Sequence, residues 1–271
     1  MPEGPGGPVA LATREEGNGP TVLLLHGIGG NRTVWNLVIP GLAEQFHVIA
    51  PDLRGHGRTP APPGSTFTFD EMLADVVHLL DERRIDSAHW VGMSGGALLA
   101  LRAALDRRER VRSLTMVSGS AYTDGHTRAI AQRWAETYAQ EGPDAFALRL
   151  LKDLYYPDWI EAHMDLVDEL RKDVHDHDYR PAVRWAEAMG RFDERNRIAS
   201  ISVPTLIVQA MDDAIVDASH GRILRQTIPG AQIRILPQTG HMIPLERPHE
   251  TVDAIATAVR AAESGRTGAP S

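Results

Sequence analysis

Six short apolar runs, each followed by polar or amphipathic chain, constrain the fold of this sequence more than any other feature. They are Thr21–Leu25 (TVLLL), Phe46–Ala50 (FHVIA), His89–Met93 (HWVGM), Val111–Val117 (VRSLTMV), Thr205–Gln209 (TLIVQ) and Gln232–Leu236 (QIRIL). Most are too short and too uniformly apolar to keep one face in water, the pattern of strands in a parallel sheet covered on both sides. Helical stretches lie between them. Thr68 and Glu71 form a capping box ahead of Leu73, Val76, Val77 and Leu80, which repeat at helical spacing. Ala97–Arg107 consists mostly of good helix formers, and further helices are expected from about Ser219 to Ile228 and from His249 to Ala262. Alternation of this kind predicts an α/β fold with a mostly parallel central sheet flanked by helices.

The alternation breaks once. Residues 121–202 contain no convincing strand and several helical stretches, at Thr127–Gln140, Asp144–Leu154, Asp158–Asp173 and Arg180–Gly190. The expected organisation is a core of residues 8–120 and 203–262, with 121–202 inserted as a helical cap over the C-terminal edge of the sheet. The Pro- and Gly-rich residues 1–7 and the small, polar residues 263–271 are expected to be flexible tails.

The chain has 271 residues, enough for one large core, and no cysteine, which excludes disulfides, thiolate metal sites and a cysteine nucleophile. Its net charge of -8 gives no general attraction to nucleic acid or to an anionic membrane. Only Lys152 and Lys172 are lysines, so arginine content here reflects composition more than anion binding. The N-terminal MPEGPGGPVA lacks the basic and apolar regions of a secretory signal, and no apolar run approaches the ~18 residues of a membrane span. The expectation is a soluble cytoplasmic protein.

Gly92-Met93-Ser94-Gly95-Gly96 matches G-x-S-x-G, directly after one predicted strand and at the start of a predicted helix. That setting suits a nucleophile elbow, in which Ser94 sits on a tight turn with its Oγ exposed above the sheet. A serine hydroxyl needs a base, and His241 follows the last predicted strand in the loop before the last helix. The acid is expected at the end of the preceding strand, on Asp213, with Asp212 as competitor and Asp124 as a further candidate. The chain order of Ser94, Asp213 and His241 is nucleophile, acid, base. An oxyanion hole needs two backbone N–H groups. They are assigned to Gly95 and, in the loop His26-Gly27-Ile28-Gly29-Gly30, to Ile28, with Gly29 next in line. That loop lacks both glycine-rich nucleotide signatures, so a nucleotide site is not expected.

With these pieces assembled, the chain resembles the α/β-hydrolase superfamily, through HGIGG, PDLRGHGRT (Pro51–Thr59), GMSGG, PTLIVQAMDD (Pro204–Asp213) and GHMIPLERP (Gly240–Pro248). The resemblance implies the α/β-hydrolase fold, the nucleophile on Ser94, the acid on Asp213, the base on His241, and a helical cap in residues 121–202. Within the superfamily the core resembles 3-oxoadipate enol-lactonases and related bacterial esterases. The cap resembles the aminoacrylate hydrolase branch, in Asp124–Arg128 and Leu154–Trp159. Relatives often carry a larger residue where Gly95 stands, and the expectation is that the glycine widens the acyl pocket or loosens the oxyanion hole.

The expected activity is cofactor-independent serine hydrolysis of a small carboxylic ester or lactone. Rival readings are cleavage of a C–N bond in an aminoacrylate- or carbamate-type substrate, cleavage of a C–C bond, or a ligand-binding receptor on the same fold. A halide-releasing or epoxide hydrolase is disfavoured, because those relatives need a carboxylate where Ser94 stands. No cofactor and no metal are expected. Asp52, Arg54, His56 and Gly57 read as residues that fix a tight loop near the site. His175 and His177 would point to opposite sides of a helix, which favours a solvated turn over a metal site. Trp134, Tyr155, Tyr156 and Trp159 read as cap packing or as lining of a substrate tunnel.

Overall fold

A computed structural model describes residues 7–165, 168–169, 172 and 179–267. Seven strands form one sheet in the order β1-β3-β2-β4-β5-β6-β7. They are β1 (Thr13–Glu16), β2 (Thr21–Leu25), β3 (His47–Pro51), β4 (Ala88–Met93), β5 (Val111–Val117), β6 (Thr205–Ala210) and β7 (Gln232–Leu236). Strands β2 to β7 run parallel, and β1 pairs antiparallel to β3 at the edge. The parallel pairs match the apolar runs, because strands roofed by helices on both faces must be apolar on both faces. Strand β1 has no such run: its sequence is Thr-Arg-Glu-Glu, and charge suits an edge strand that must not pair with another chain.

The flanking helices are α1 (Ile39–Ala43), α2 (Phe69–Glu82), α3 (Gly95–Asp106), α8 (Ala218–Thr227), α9 (Ile243–Glu246) and α10 (Pro248–Thr267). Between β5 and β6 lie α4 (Gly125–Glu141), α5 (Pro143–Leu154), α6 (Pro157–Ala162) and α7 (Arg180–Met189). One apolar cluster, built around Leu23, Ile49, Trp90, Leu99, Met116 and Ile207, packs under α2 and α3. A second, around Leu24, Trp35, Val48, Val91, Val208 and Ile255, fills the opposite face of the sheet. At the start of α2 the Thr68 hydroxyl accepts from the Glu71 N–H at 3.3 Å.

Two expectations need correction. The helix predicted over Asp158–Asp173 does not run unbroken: α6 ends at Ala162, and His163 leaves the helical region while its ring stacks on Trp159. The last helix does not end at Ala262, because α10 continues to Thr267. Glu263 holds that last stretch by pairing with Arg112 at 3.0 Å and His89 at 3.2 Å. Among the described residues no helix is long and apolar enough to cross a membrane.

Candidate active site

The carboxyl ends of β4, β6 and β7 bring the three predicted residues to one edge of the sheet. Ser94 follows β4 with φ +52° and ψ -119°, a conformation that a non-glycine residue adopts only under constraint. The turn is possible because its flanks are bare. A Cβ on Gly92 would lie 2.1 Å from the Gly96 carbonyl, and one on Gly96 would lie 2.4 Å from the Leu25 carbonyl. The Ser94 N–H donates to the Val117 carbonyl at 2.9 Å, and its carbonyl accepts from Ala97 in the first turn of α3. The elbow is therefore tied to the end of β5 while the serine side chain stays half-buried at the mouth of the sheet.

Asp213 leaves the end of β6 with its side chain fully buried. Its Oδ1 accepts from the backbone N–H groups of Ile215 and Val216, both at 2.9 Å. His241 Nδ1 donates to Asp213 at 2.8 Å (Oδ2) and 3.0 Å (Oδ1). A carboxylate oxygen accepts here, so the proton of this contact sits on Nδ1, and in the neutral imidazole that leaves Nε2 as the acceptor. Of the two neighbouring candidates, Asp212 is exposed, and Asp213 is the carboxylate turned inward. Asp124 is used elsewhere. It caps α4 by accepting from the Thr127 N–H and pairs with His220 at 3.1 Å. Ser94 Oγ and His241 Nε2 are not hydrogen-bonded to each other. The Ser118 hydroxyl donates to the His241 carbonyl at 2.9 Å, and the Ser118 N–H donates to Val208, so the histidine loop is anchored on β5 and β6.

The loop after β2 is built around two histidines. His26 Nε2 accepts from the Leu53 N–H at 2.9 Å, and its Nδ1–H donates to the Gly27 carbonyl at 2.7 Å. His56 donates from Nδ1 to the Arg54 carbonyl and accepts at Nε2 from the Gly29 N–H at 3.3 Å. The Gly29 N–H is thereby spent inside the loop. Among the described residues neither the Ile28 N–H nor the Gly95 N–H has an acceptor, and a Cβ on Gly27 would lie 3.5 Å from Ser94 Oγ. Two unspent donors thus lie in the two loops that meet at the serine. Burial, reinforced by the nearby His56, pushes the His26 imidazole down to about 3, against the pull of the Gly27 carbonyl, so it is neutral at ordinary pH.

The Asp52-to-Gly57 segment frames this loop. Asp52 accepts from the backbone N–H groups of Arg32 and Arg58 and pairs with the Arg32 guanidinium. Arg54 is buried and pairs with Asp75 at 2.6 Å and Glu71 at 2.7 Å. Among the described residues no three His, Cys, Asp or Glu side chains group to hold a metal ion. His175 and His177 lie outside those residues.

Three neighbours of the site were not evident from the sequence. His26, just described, is one. Glu246 is another: its buried carboxylate accepts from the N–H groups of Gly240 (2.9 Å), Tyr156 (3.1 Å) and Met242 (3.2 Å), bracketing His241. Burial pushes its pKa up from the ordinary carboxylate value, against the pull of those three N–H groups. The third is Trp185 on α7, with no exposed surface. A Cβ on Gly95 would lie 3.0 and 3.1 Å from Trp185 Cζ2 and Cη2, and 3.2 Å from Met189 Sδ. The expectation that Gly95 widens the pocket is corrected by this contact: the space is filled by α7. Trp134, by contrast, packs inside the cap and donates to Asp153, while Tyr155 and Trp159 stack on each other.

A family model described as alpha/beta hydrolase fold matches residues 20–248. A protein of Azorhizobium caulinodans named "Putative carbamate hydrolase RutD" is 33% identical over 235 residues, covering 86% of this chain and 88% of its own. A protein of the same name from Variovorax paradoxus is 32% identical, covering 83% and 85%. Among solved structures, a thermophilic esterase from Thermogutta terrifontis superposes with a TM-score of 0.84 at 28% identity, covering 93% of each chain. The enol-lactonase from Burkholderia xenovorans shares the fold, with a TM-score of 0.85 at 24% identity over 92% and 96% of the two chains.

Proposed function

This chain belongs to the α/β-hydrolase fold family, and from that premise we propose that it is a serine hydrolase working through an acyl-enzyme on Ser94. The observation that carries this reading is the buried His241–Asp213 pair at the same sheet edge as a serine on a tight elbow. His241 Nε2 takes the proton from Ser94 Oγ as the oxygen bonds to the substrate carbonyl carbon. Asp213 holds the imidazole in the needed tautomer and stabilises its cation. The Ile28 and Gly95 N–H groups receive the oxyanion, each contributing about 3 kcal/mol to the barrier reduction. The imidazolium then protonates the leaving atom as its bond to carbon breaks. Water attacks the acyl-enzyme with His241 as base, releasing the acid and restoring the serine.

For the bond cleaved, we favour the C–N bond of a small carbamate-type substrate, supported by the name of relatives at 33% and 32% identity. A small carboxylic ester or lactone is the second reading, supported by the esterase at 28% identity. The test is stoichiometric fluorophosphonate labelling of Ser94, followed by turnover on matched carbamates, amides, esters and lactones. Labelling that is lost in Ser94→Ala, with turnover greatest on the C–N substrates, is the expected result. Turnover greater on the esters or lactones supports the second reading. Failure to label overturns the nucleophile assignment, and labelling without turnover on any member points to a receptor.

A further inference from the structure

Helix α7 lies across the loops of the site on one face. Tyr179, just before its first residue, and Ala182 pack on Gly29, while Trp185 and Met189 pack on Gly95. These positions recur at intervals of three, three and four, so a single stripe of the helix covers both loops that carry the candidate oxyanion donors. Pro181, one position off the stripe, packs against the place of a Cβ on Gly55. Trp185 is the large residue of the stripe. Its six-membered ring takes the volume that a side chain at position 95 would fill, and the indole and the His56 ring meet in a T-shaped arrangement with centroids 5.3 Å apart.

The indole N–H adds a second observation. Trp185 Nε1 is buried and has no hydrogen-bond partner among the described residues. A buried donor left unpaired is costly, and Trp90 and Trp134 avoid that cost by donating to the Arg110 carbonyl and to Asp153. Trp35 Nε1 is also unpaired, but it lies in the apolar cluster on the other face of the sheet. Nε1 of Trp185 is two bonds from Cζ2, the atom nearest the Gly95 Cβ position, so the unpaired donor belongs to the side of the indole that packs on Gly95.

We propose that Trp185 determines the specificity of the Ser94 site: its ring limits the acyl group to a short chain, and its Nε1–H donates to an oxygen carried by that acyl group. The substrate class is then a short, oxygen-bearing acid derivative, and Gly95 and Trp185 act as one unit, the cap supplying the bulk that the core omits. This inference rests on the reading of Ser94 as nucleophile, and the test separates the two.

Wild type, Trp185→Phe, Trp185→Ala and the double variant Gly95→Leu/Trp185→Ala are each labelled with a small fluorophosphonate. Their kcat/KM is then measured on 4-nitrophenyl acetate, butyrate, hexanoate and methoxyacetate. Methoxyacetate differs from butyrate by one oxygen in place of a methylene, so their ratio cancels differences in overall activity between variants. Trp185→Phe is expected to lower the methoxyacetate-to-butyrate ratio roughly five- to tenfold, the worth of one hydrogen bond. Trp185→Ala is expected to raise the hexanoate-to-acetate ratio by about tenfold or more. Adding Gly95→Leu is expected to bring that ratio back toward the wild-type value. Ratios that stay within about twofold of wild type in variants that still label at Ser94 overturn the proposal and leave the nucleophile standing. Absence of labelling in the wild type overturns the nucleophile reading instead. Trp185→Phe keeps an aromatic ring in place, so the donor is tested even where alanine is not tolerated.

Discussion

Acid should destabilise this protein through one residue, His26, by an amount that the structure allows to be worked out. Both ring nitrogens are committed: Nε2 accepts from Leu53 and Nδ1–H donates to Gly27. A second proton would set an N–H against the Leu53 N–H inside a fully buried site, 5.3 Å between ring centroids from His56. Burial first, and the charge of His56 second, lower its pKa from the ordinary 6.5 to about 3. Between those values the unfolded chain binds a proton that the folded chain refuses. The stabilisation is therefore fully present above the unfolded value and is lost as pH falls toward the folded one. Lowering the pH from about 7.5 to about 5 should cost about 2 kcal/mol from this residue alone. Urea unfolding of wild type and His26→Gln across that range isolates it, since glutamine keeps a donor and an acceptor but does not titrate. The other histidines contribute alike to both proteins. Near pH 5 the wild-type stability should fall more steeply than that of the variant by about one proton. Parallel curves would refute the reasoning.

The acid assignment separates cleanly. Asp213→Asn keeps an acceptor for Ile215 and Val216 but favours the wrong His241 tautomer, and should lower kcat by about 10⁴-fold, whereas Asp212→Asn should leave it within about twofold. Glu246→Ala strands three backbone donors around His241; denaturant titration should show a loss of about 3 kcal/mol, with a drop in kcat larger than any change in KM. Arg54→Ala leaves the Asp75 carboxylate buried without its partner and should cost about 3–5 kcal/mol in the same assay. Adding Asp75→Asn to that variant should recover part of the loss.

The parallel strands were legible because burial on both faces demands an uninterrupted apolar run, which stands out against polar surroundings. Strand β1 was not, because its Thr-Arg-Glu-Glu sequence meets the demands of an edge, and those resemble the demands of a loop. The end of α10 was missed for a related reason. Helix signals weaken in Glu263-Ser264-Gly265, and the contacts from Glu263 to Arg112 and His89 join residues 151 and 174 positions apart. Contacts over that span leave no local pattern.

The site divides the same way. The positions of Ser94, Asp213 and His241 were readable because each follows the end of a strand, where a short motif carries the turn. The residues that hold them were not readable, because they belong to packing between distant segments. The cap meets each of the three loops with a different helix. His126 and Thr127 of α4 donate to the Ala214 and Ile215 carbonyls beside the acid. The Leu154 carbonyl at the end of α5 accepts from Met242, next to the histidine, and α7 lies on Gly95. A substitution in one of these helices can therefore shift the loop of Asp213, of His241 or of Gly95 separately. Gly95 shows why such coupling escapes a reading of one segment at a time. Alone it predicts space, but with a tryptophan 90 positions away it specifies a filled wall. The candidate chemistry lies at the strand ends, and the wall beside it is set by a helix that the sequence places far from them.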